Sequence, residues 1–466
     1  MRPRNEIARV QLDRLLKTQG PISAAELARR AGVSVPTVLR VIQSWEGDVL
    51  RFGVTKHARY AMRRPLRGSH APIPVYRVNA QGQGVAGALL HLLSPTGTFF
   101  SMEGLHFPIA REFASGIWEG LPYPLYDMRP QGYLGRMFAH RAAQDLNVPN
   151  DPEYWSDDHI TYVLSRRGAD TSGHLIIGDE AYSLWLQSVS MPEMPIPEPQ
   201  QEAHYAQLAE EAVAFVGMGS SAGGEFPKFT AQRQLAGSAT SHVIVKFSGA
   251  DDSSSVRRWS DLLVCEHLAL EVIRSLLPVR AAQGRILQSG SRTFLEVERF
   301  DRQGEWGRLP LVSLSSLDAA LIGRGSGAWP ELVEQLVKAG MVETGAVYGS
   351  QVLWWFGRLI ANSDMHLGNL SFQYDPDGND SAIFYLAPAY DMLPMLYAPL
   401  SGGEVPPRQF VPELPLPREA EAWKQAYAAA LAFWDAVSHD SRVSMPFRQI
   451  GQQNLTQLQR VRPAVL

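Results

Sequence analysis

The sequence predicts an α+β chain of several domains: a small helical head with a β wing, a small β-rich subdomain, and a two-lobed body with a helical second lobe. Residues 6–62 contain short helical periods followed by two strand-like runs. Residues 191–200 are proline-rich, which indicates an extended linker. After residue 313 the chain is mainly helical except for one hairpin. With 466 residues it is long enough for about two to four domains with substantial cores.

Composition is that of an ordinary soluble globular protein. No apolar run reaches about 18 residues and no signal-peptide pattern begins at Met1, so we expect no membrane partner and a cytoplasmic location. Cys265 is the single cysteine. It excludes a disulfide framework and a cysteine-based zinc site, and it fits a reducing compartment.

Charge is distributed unevenly along the chain. Residues 1–67 carry 14 Lys/Arg against 5 Asp/Glu, net +9, whereas the whole chain is net -4. The remainder is therefore net -13. A basic head on an acidic body indicates that the head binds nucleic acid.

The head has the start and stop signals of three helices. Residues 6–17 have a helical period; Ser23 and Glu26 have the spacing of a capping box that starts a second helix, and Gly32 ends it. Ser34 caps a third helix. Two short helices joined by a glycine-containing turn are typical of a helix-turn-helix. Two strand-like runs around a basic loop predict a wing, over residues 50–52 and 60–62.

In a winged helix-turn-helix, the second helix of the motif faces the DNA major groove and the wing meets phosphate or the minor groove. The predicted DNA-binding residues are Thr37, Arg40, Gln43, Lys56, His57 and Arg59. The alternative is a small helical protein-binding module, but the charge excess and the wing together favour double-stranded DNA. A homodimer would fit a palindromic DNA site.

The middle of the chain, residues 76–190, has strand-like alternation followed by helical stretches and contains no motif that indicates chemistry. We predict five segments: 1–66 winged helix-turn-helix, 75–190 β-rich subdomain, 191–202 proline-rich linker, 203–308 first lobe and 309–466 helical second lobe.

Residues 360–391 predict a polar loop followed by a β-hairpin, because residues 375–378 read Asp-Pro-Asp-Gly, a strong turn sequence. The hairpin would bring Asp364, Asn369 and Asp391 together. Kinases arrange a base and two metal ligands in this way, with one aspartate orienting the attacking hydroxyl and the Asn and second Asp binding Mg²⁺. The alternative is a loop in which these side chains cap neighbouring backbone.

Two upstream stretches can supply phosphate contacts. Residues 217–229 form a Gly/Ser-rich loop that is not a P-loop, because no Ser or Thr follows Lys228 directly. Residues 243–247 read as a buried strand with Lys246 embedded in it, a costly placement unless an anion pairs with the lysine. The alternative for Lys246 is an edge strand from which the side chain reaches solvent.

A helix and a strand then complete the order. The helix predicted over residues 259–277 carries Glu266 and Glu271, and we choose Glu266 as the partner that orients Lys246. The strand over 292–300 leads into a predicted hinge between lobes, where backbone groups of Glu298 to Phe300 would meet adenine.

In this order the chain resembles the HipA family of bacterial serine/threonine kinases, toxins of type II toxin–antitoxin systems. The protein-kinase-like motifs that carry the resemblance are residues 219–228, Lys246, 297–302, 362–369 and Tyr390-Asp391. With its fused helix-turn-helix, the layout is most similar to the YjjJ-like branch of that family.

The resemblance implies ATP and Mg²⁺ as cofactors, Asp364 as the general base, Lys246 as the phosphate clamp, and Asn369 and Asp391 as metal ligands. It implies that Ser220 or Ser221 is autophosphorylated. The other residues that it places at the nucleotide are Gly223, Gly224, Lys228, Glu266, Glu298, Phe300 and His366. It further implies a protein substrate from the translation machinery, of the aminoacyl-tRNA synthetase class.

The chain departs from the HipA pattern at Gly368, where the family often carries a lysine before the metal-binding asparagine, and at Glu225-Phe226 in the glycine-rich loop. Two functions are therefore compared. One is an active kinase whose DNA-binding head regulates its own operon. The other is a transcription regulator whose kinase-like body senses nucleotide or mediates dimerisation.

Overall fold

The structure is a computed structural model, and it describes residues 3–45, 47–53, 58–101, 105–216, 226–234, 237–378 and 383–461. The helices are α1 (Pro3–Gln19), α2 (Ala24–Ala31), α3 (Val35–Gln43), α4 (Gly132–Leu146), α5 (Asp157–Arg167), α6 (Asp179–Ser190), α7 (Gln201–Val216), α8 (Ser254–Leu276), α9 (Leu314–Leu321), α10 (Trp329–Lys338), α11 (Gly345–Leu359), α12 (Ala420–His439) and α13 (Met445–Arg460). The strands are β1 (Ile22–Ser23), β2 (Val49–Phe52), β3 (Arg59–Met62), β4 (Ile73–Val78), β5 (Gly84–Leu92), β6 (Thr98–Phe100), β7 (Ile117–Trp118), β8 (Leu175–Ile177), β9 (Lys228–Gln232), β10 (His242–Phe247), β11 (Gly284–Ser289), β12 (Arg292–Glu298), β13 (Arg302–Gln303), β14 (Gly307–Arg308), β15 (Val312–Ser313), β16 (Ser371–Gln373) and β17 (Tyr385–Leu386).

In the head, α1 to α3 pack on a small antiparallel sheet with the order β1-β3-β2. Ser23 caps α2 by accepting a hydrogen bond from the Glu26 amide at 3.2 Å. The predicted capping box is only half formed, because the Glu26 carboxylate pairs with Arg29 and Arg30 on the next turn. These two cations lower the pKa of Glu26 to about 2.

The middle region is a five-stranded antiparallel sheet, β7-β6-β5-β4-β8, with α4 to α6 beside it. Strands β2 and β3 of the head pack directly on this sheet: buried Phe52, Ala61 and Leu93 form one apolar cluster. The Phe52 and Phe99 ring centroids are 4.8 Å apart. The head is therefore docked on the middle region, and the first residues of the stretch 63–74 contribute hydrogen bonds to that contact.

The body begins with an antiparallel sheet of order β11-β12-β10-β9, against which α8 packs. A helical lobe of α9 to α13 follows, and it contains the short sheet β15-β16-β17. One apolar cluster runs from the middle sheet through α8 into the C-terminal helices, so these parts share a core. Among the described residues, no helix has the length and apolarity needed to cross a bilayer.

Candidate active site

Lys246 lies on an interior strand of the first-lobe sheet. Strand β10 pairs with β12 on one side and β9 on the other, so Lys246 stands opposite Leu295 and Lys228. Its side chain is only 8% exposed. The edge-strand alternative is therefore wrong, and the lysine needs an anionic partner inside the protein.

Glu266 of α8 and Asp391 supply that partner. The Lys246 ammonium donates to both Glu266 carboxylate oxygens at 2.7 Å and also to Asp391 Oδ1. Burial alone would lower the pKa of Lys246, but the two carboxylates outweigh it and raise the pKa. Burial raises the pKa of Glu266, and the charge of Asp391 adds to that shift. The structure thus pairs Lys246 with Glu266 rather than with Glu271, which pairs with Arg274.

The carboxylate of Asp391 is ionised in the folded protein. Burial would raise its pKa, but the charges of Lys246 and Lys228 prevail and lower it to about 2. Its backbone has a φ of 53°, in the left-handed region, where non-glycine residues are uncommon. Ala361, just before the loop that contains Asp364 and Asn369, has a φ of 60°. Such conformations cost about 1 kcal/mol or more and are concentrated at functional sites.

The loop that follows α11 positions Asp364 and Asn369. The Asp364 amide donates to Asn362 Oδ1 at 3.0 Å, and the Asn369 side-chain amide donates to the Asp364 carbonyl at 2.8 Å. Asp364 is exposed, whereas Asn369 is buried. Because the Asn369 side-chain nitrogen donates within the loop, Oδ1 is the atom of this side chain that could bind a metal.

Strand β16 and its partner β17 form the predicted hairpin, with Phe372 opposite Leu386. Residues 379–382, between the two strands, lie outside the described part of the chain. After the hairpin, Tyr390 forms hydrogen bonds to the loop at Gly368 and to the start of β16 at Ser371. Its hydroxyl donates to the Gly368 carbonyl at 2.5 Å and lies 2.7 Å from Ser371 Oγ. Asn362 Nδ2 also donates to the Asp391 carbonyl at 3.3 Å.

Lys246, Glu266, Tyr390 and Asp391 line a cavity of about 290 Å³ between the two lobes. The loop of Asp364 and Asn369 reaches this cavity through Gly368, whereas Asp364 and Asn369 themselves are not among its lining residues. Its wall combines charged groups with apolar ones, and part of it comes from the middle region. The lining residues used below are Asp127, Leu134, Lys228, Ile244, Lys246, Glu266, Val297, Glu298, Phe300, Asp301, Leu311, Ser313, Gly368, Ser371, Tyr390 and Asp391.

The predicted hinge lines this cavity, but several of its polar groups already have protein partners. The Glu298 amide donates to the Gln283 carbonyl, and the Phe300 carbonyl accepts from Gln373 at 3.0 Å. The Glu298 carboxylate binds Arg233 at 3.0 Å. These groups are therefore not the ones that would bind adenine. The groups of the predicted hinge that could still do so are the Glu298 carbonyl, the Phe300 amide and the Phe300 ring.

Some predicted residues lie away from the cavity or outside the described chain. His366 is exposed and caps its own loop, with Nδ1 accepting from the Gly368 amide at 3.0 Å. On α3 of the head, Arg40 and Gln43 are exposed and Thr37 is half-buried; Arg59 on β3 is exposed. Outside the described residues lie Ser220, Ser221, Gly223, Gly224, Lys56 and His57.

Sequence reasoning missed the residues that the middle region and α9 bring to the cavity. Asp127, Leu134 and Ser313 belong to no recognisable motif. The Asp127–Ser313 contact spans 186 positions, so no local pattern could have revealed it. Tyr390 stood in a motif, but its bond to Gly368 could not be inferred from spacing.

The donor set fits a hard divalent cation such as Mg²⁺. Asn369 and Asp391 supply amide and carboxylate oxygens, which Mg²⁺ prefers, and it commonly uses one or two protein carboxylates with the rest of its shell from phosphate and water. No group of three or more His, Cys, Asp or Glu side chains suited to a metal occurs in the described ranges.

Comparison with known sequences gives two family matches. The family described as YjjJ-like toxin, middle domain, matches residues 69–186, and the HipA-like C-terminal domain matches residues 220–450. Toxin YjjJ of Escherichia coli (strain K12) is 38% identical over 440 residues, covering 94% of this chain and 95% of that protein.

Two solved structures are also similar. A chain of the Shewanella oneidensis MR-1 toxin–antitoxin complex of HipA, HipB and operator DNA covers 83% of this chain and 97% of its own length, at 14% identity and a TM-score of 0.49. The Helicobacter pylori proinflammatory kinase CtkA covers 51% of this chain and 90% of its own, at 12% identity and a TM-score of 0.35.

Proposed function

Because the chain belongs to the family of YjjJ-like toxins with a HipA-like C-terminal domain, we propose that it is an ATP- and Mg²⁺-dependent serine/threonine protein kinase that acts as a toxin. It phosphorylates itself and a protein of the translation machinery, of the aminoacyl-tRNA synthetase class. The single observation that supports this most is that Lys246, Glu266 and Asp391 line one cavity together with Gly368, which belongs to the loop of Asp364 and Asn369.

Each group has a role in phosphoryl transfer. Asp364 accepts the proton of the substrate hydroxyl as that oxygen forms a bond to the γ-phosphorus and the bond from phosphorus to the β–γ bridging oxygen breaks. Lys246, oriented by Glu266, holds the nucleotide phosphates. Asn369 and Asp391 would hold Mg²⁺, which when bound neutralises charge on the transferring group. Since Asp391 now binds Lys246, metal binding competes with that contact.

The test is incubation of the purified protein with Mg²⁺ and radiolabelled ATP beside Asp364→Asn, followed by mapping of the phosphosite. We expect label at Ser220 or Ser221 in the wild type and loss of at least 100-fold in the variant, because a positioned base contributes about 10²–10⁴ to the rate. Asp377→Asn is the matched control: Asp377 lies on the same hairpin but pairs with Arg77 at 2.8 Å, away from the cavity.

Growth arrest on expression should follow the same pattern. Label that persists in Asp364→Asn would disprove the base assignment. If the wild type shows no label while it still binds ATP, the function is instead the nucleotide-sensing regulator that keeps the kinase-like body without catalysis.

The exposed Arg40 and Gln43 on α3, in a head of high positive charge, favour a second activity: binding of operator DNA, which would let the toxin regulate its own operon. Fluorescence anisotropy with DNA from upstream of the coding sequence tests it. We expect affinity that falls steeply with salt and a loss of about 1–3 kcal/mol for Arg40→Ala if Arg40 contacts a base. Affinity that is unaffected by both salt and Arg40→Ala would exclude this activity.

A further inference from the structure

One wall of the nucleotide cavity comes from outside the body of the protein. Asp127 lies in a 3₁₀ turn, Tyr123–Met128, whose residues Tyr123, Leu125 and Met128 are buried in the middle region. This anchoring leaves the Asp127 carboxylate at the cavity, beside Leu134 from the same region. The position is therefore rigid, and it belongs to the middle region rather than to either lobe.

Asp127 is bound to the helical lobe at the start of α9, chiefly by Ser313, and the Ser316 hydroxyl also favours its ionised form. Ser313, the cap of α9, donates its amide to Asp127 Oδ2 at 2.7 Å and its hydroxyl to Oδ1 at 2.6 Å. Ser313 stands opposite Ser371 in the β15–β16 ladder, and Ser371 contacts Tyr390 next to Asp391. The carboxylate is thus part of the same wall as the catalytic residues.

The other acidic groups on this wall are paired with cations. Glu266 and Asp391 bind Lys246, and Glu298 binds Arg233. Asp301 binds Arg299 and Arg302, and its Oδ2 also accepts the Gly173 amide at 2.9 Å. Among the ion pairs of the described residues, none includes Asp127. It is the one wall carboxylate whose described partners are neutral.

A carboxylate has about four lone-pair positions, and the two bonds from Ser313 leave capacity on each oxygen of Asp127. A negative group of this kind suits hydroxyl donors and disfavours phosphate. Burial raises the pKa of Asp127 and so disfavours its ionised form. Hydrogen bonds donated by ligand hydroxyls would oppose this effect by stabilising the carboxylate. Phosphates belong at the opposite side, with Lys246 and Lys228.

We propose that Asp127 is a specificity-determining residue that accepts hydrogen bonds from the vicinal hydroxyls of the nucleotide ribose. This inference rests on the proposed function and extends it: the middle region completes the nucleotide site. The base lies against the apolar wall of Ile244, Val297 and Leu311, the triphosphate lies toward Lys246, and the sugar lies between them, beside Asp127.

The test measures equilibrium binding of ATP and of 2′,3′-dideoxy-ATP, both with Mg²⁺, to the full-length protein by calorimetry. Hydrogen bonds to a charged acceptor are strong enough that the dideoxy nucleotide should bind the wild type roughly 10- to 100-fold more weakly. In Asp127→Asn, which keeps the shape and one acceptor oxygen, that ratio should fall to about threefold or less.

Asp157→Asn is the matched control, because Asp157 is a half-exposed carboxylate of the same region that accepts from Leu121 and pairs with Arg129. It should keep the wild-type ratio. Ser313→Ala, which removes one donor to Asp127 but keeps the carboxylate, should also keep or increase the ratio. Because the two dissociation constants are compared within one variant, a substitution that weakens the binding of both nucleotides equally leaves the ratio unchanged.

The inference is overturned by a wild-type ratio near one, or by an unchanged ratio in Asp127→Asn. Either result, with ATP still bound, leaves the proposed kinase function standing. Failure of the wild type to bind either nucleotide would overturn both.

Discussion

His174 is a buried imidazole that joins the middle region to the β16–β17 hairpin. Its Nε2 lies 3.1 Å from the hydroxyl of Tyr374, the residue after β16. Burial, together with the charges of Arg77, Arg308 and Arg302, lowers the pKa of His174 to about 3. The imidazole is therefore neutral in the folded protein at any pH where the protein would be assayed.

This shift predicts an acid-sensitive contact. Because the folded pKa lies below the unfolded value of about 6.5, the unfolded chain takes up a proton first, and stability falls as pH decreases from that value toward 3. At pH 5 the cost is about 2 kcal/mol. We expect His174→Gln to lose less stability than the wild type between pH 7 and pH 5, measured by urea denaturation. His70→Gln, at an exposed site, is the control; an equal loss in all three proteins would contradict the prediction.

For single residues, the sequence predicts a role where the chemistry of a side chain does not fit the residues next to it in the chain. Lys246 was recognisable because a lysine in an apolar strand requires an anion, and the structure supplies Glu266 and Asp391. His174 and Asp127 do not conflict with their local sequence. Their significance arises from Tyr374 and Ser313, far away along the chain, and only the folded structure brings these pairs together.

Tyr390 connects two elements, the loop of Asp364 and Asn369 and the segment after β17 that carries Asp391. We expect Tyr390→Phe to keep the ring beside Phe300, 5.5 Å between centroids, while the loop loses its hydrogen-bonded tie. Because small errors in the position of a base reduce the rate of transfer, kcat should fall about tenfold with little change in KM for ATP. Tyr427→Phe removes a similar bond to the Leu458 carbonyl, remote from the cavity, and should leave kcat unchanged. An equal effect of the two substitutions would argue against positioning.

Strand β2 connects the head to the middle sheet through Phe52. Phe52→Ala removes a side chain that is 5% exposed and packs on Phe99, which should weaken the interface by about 3 kcal/mol. We expect proteases to cleave between residues 63 and 74 and to release the head. Leu39→Ala, at a site of the same head that is 42% exposed, is the control and should leave the cleavage unchanged. Unaltered cleavage in Phe52→Ala would show that other contacts hold the two parts together.

Elements were predictable where short-range chemistry fixes them. The hairpin followed from residues 375–378, and the structure shows why: Asp375 Oδ1 accepts the Asp377 amide at 3.0 Å and closes the turn. The capping box at Ser23 was only half right, because two arginines compete for Glu26. The stretch 63–74 has the composition of a linker, yet Arg64 pairs with Asp158 in the middle region. Composition alone does not show such a partner.

For the whole molecule, the joint between the middle region and the body is electrostatic as well as apolar. Arg299, Asp301 and Arg302 are buried side by side, and Asp301 pairs with both arginines. Both arginines also bind Asp170, the half-exposed aspartate that the middle region contributes. Burial would raise the pKa of Asp301, but the two guanidinium groups reverse this and hold it well below its usual range. The cluster adjoins the hinge, so its stability bears on both lobes.

Asp301→Asn should destabilise the entire protein, whereas Asp170→Asn should have a small effect. The Asp301 side chain is 6% exposed, and its loss leaves two buried cations with the half-exposed Asp170 as their remaining carboxylate partner; removing one partner of a buried ion pair typically costs about 3–5 kcal/mol. The Asp170 side chain is 50% exposed, so solvent replaces much of its contribution and about 1 kcal/mol or less should be lost. Urea denaturation followed by tryptophan fluorescence measures both. If the shared core makes the middle region and the body unfold together, Asp301→Asn lowers the midpoint of one common transition. Two separated transitions, of which only one moves, would show instead that the two parts are stabilised independently and that the cluster is a local contact.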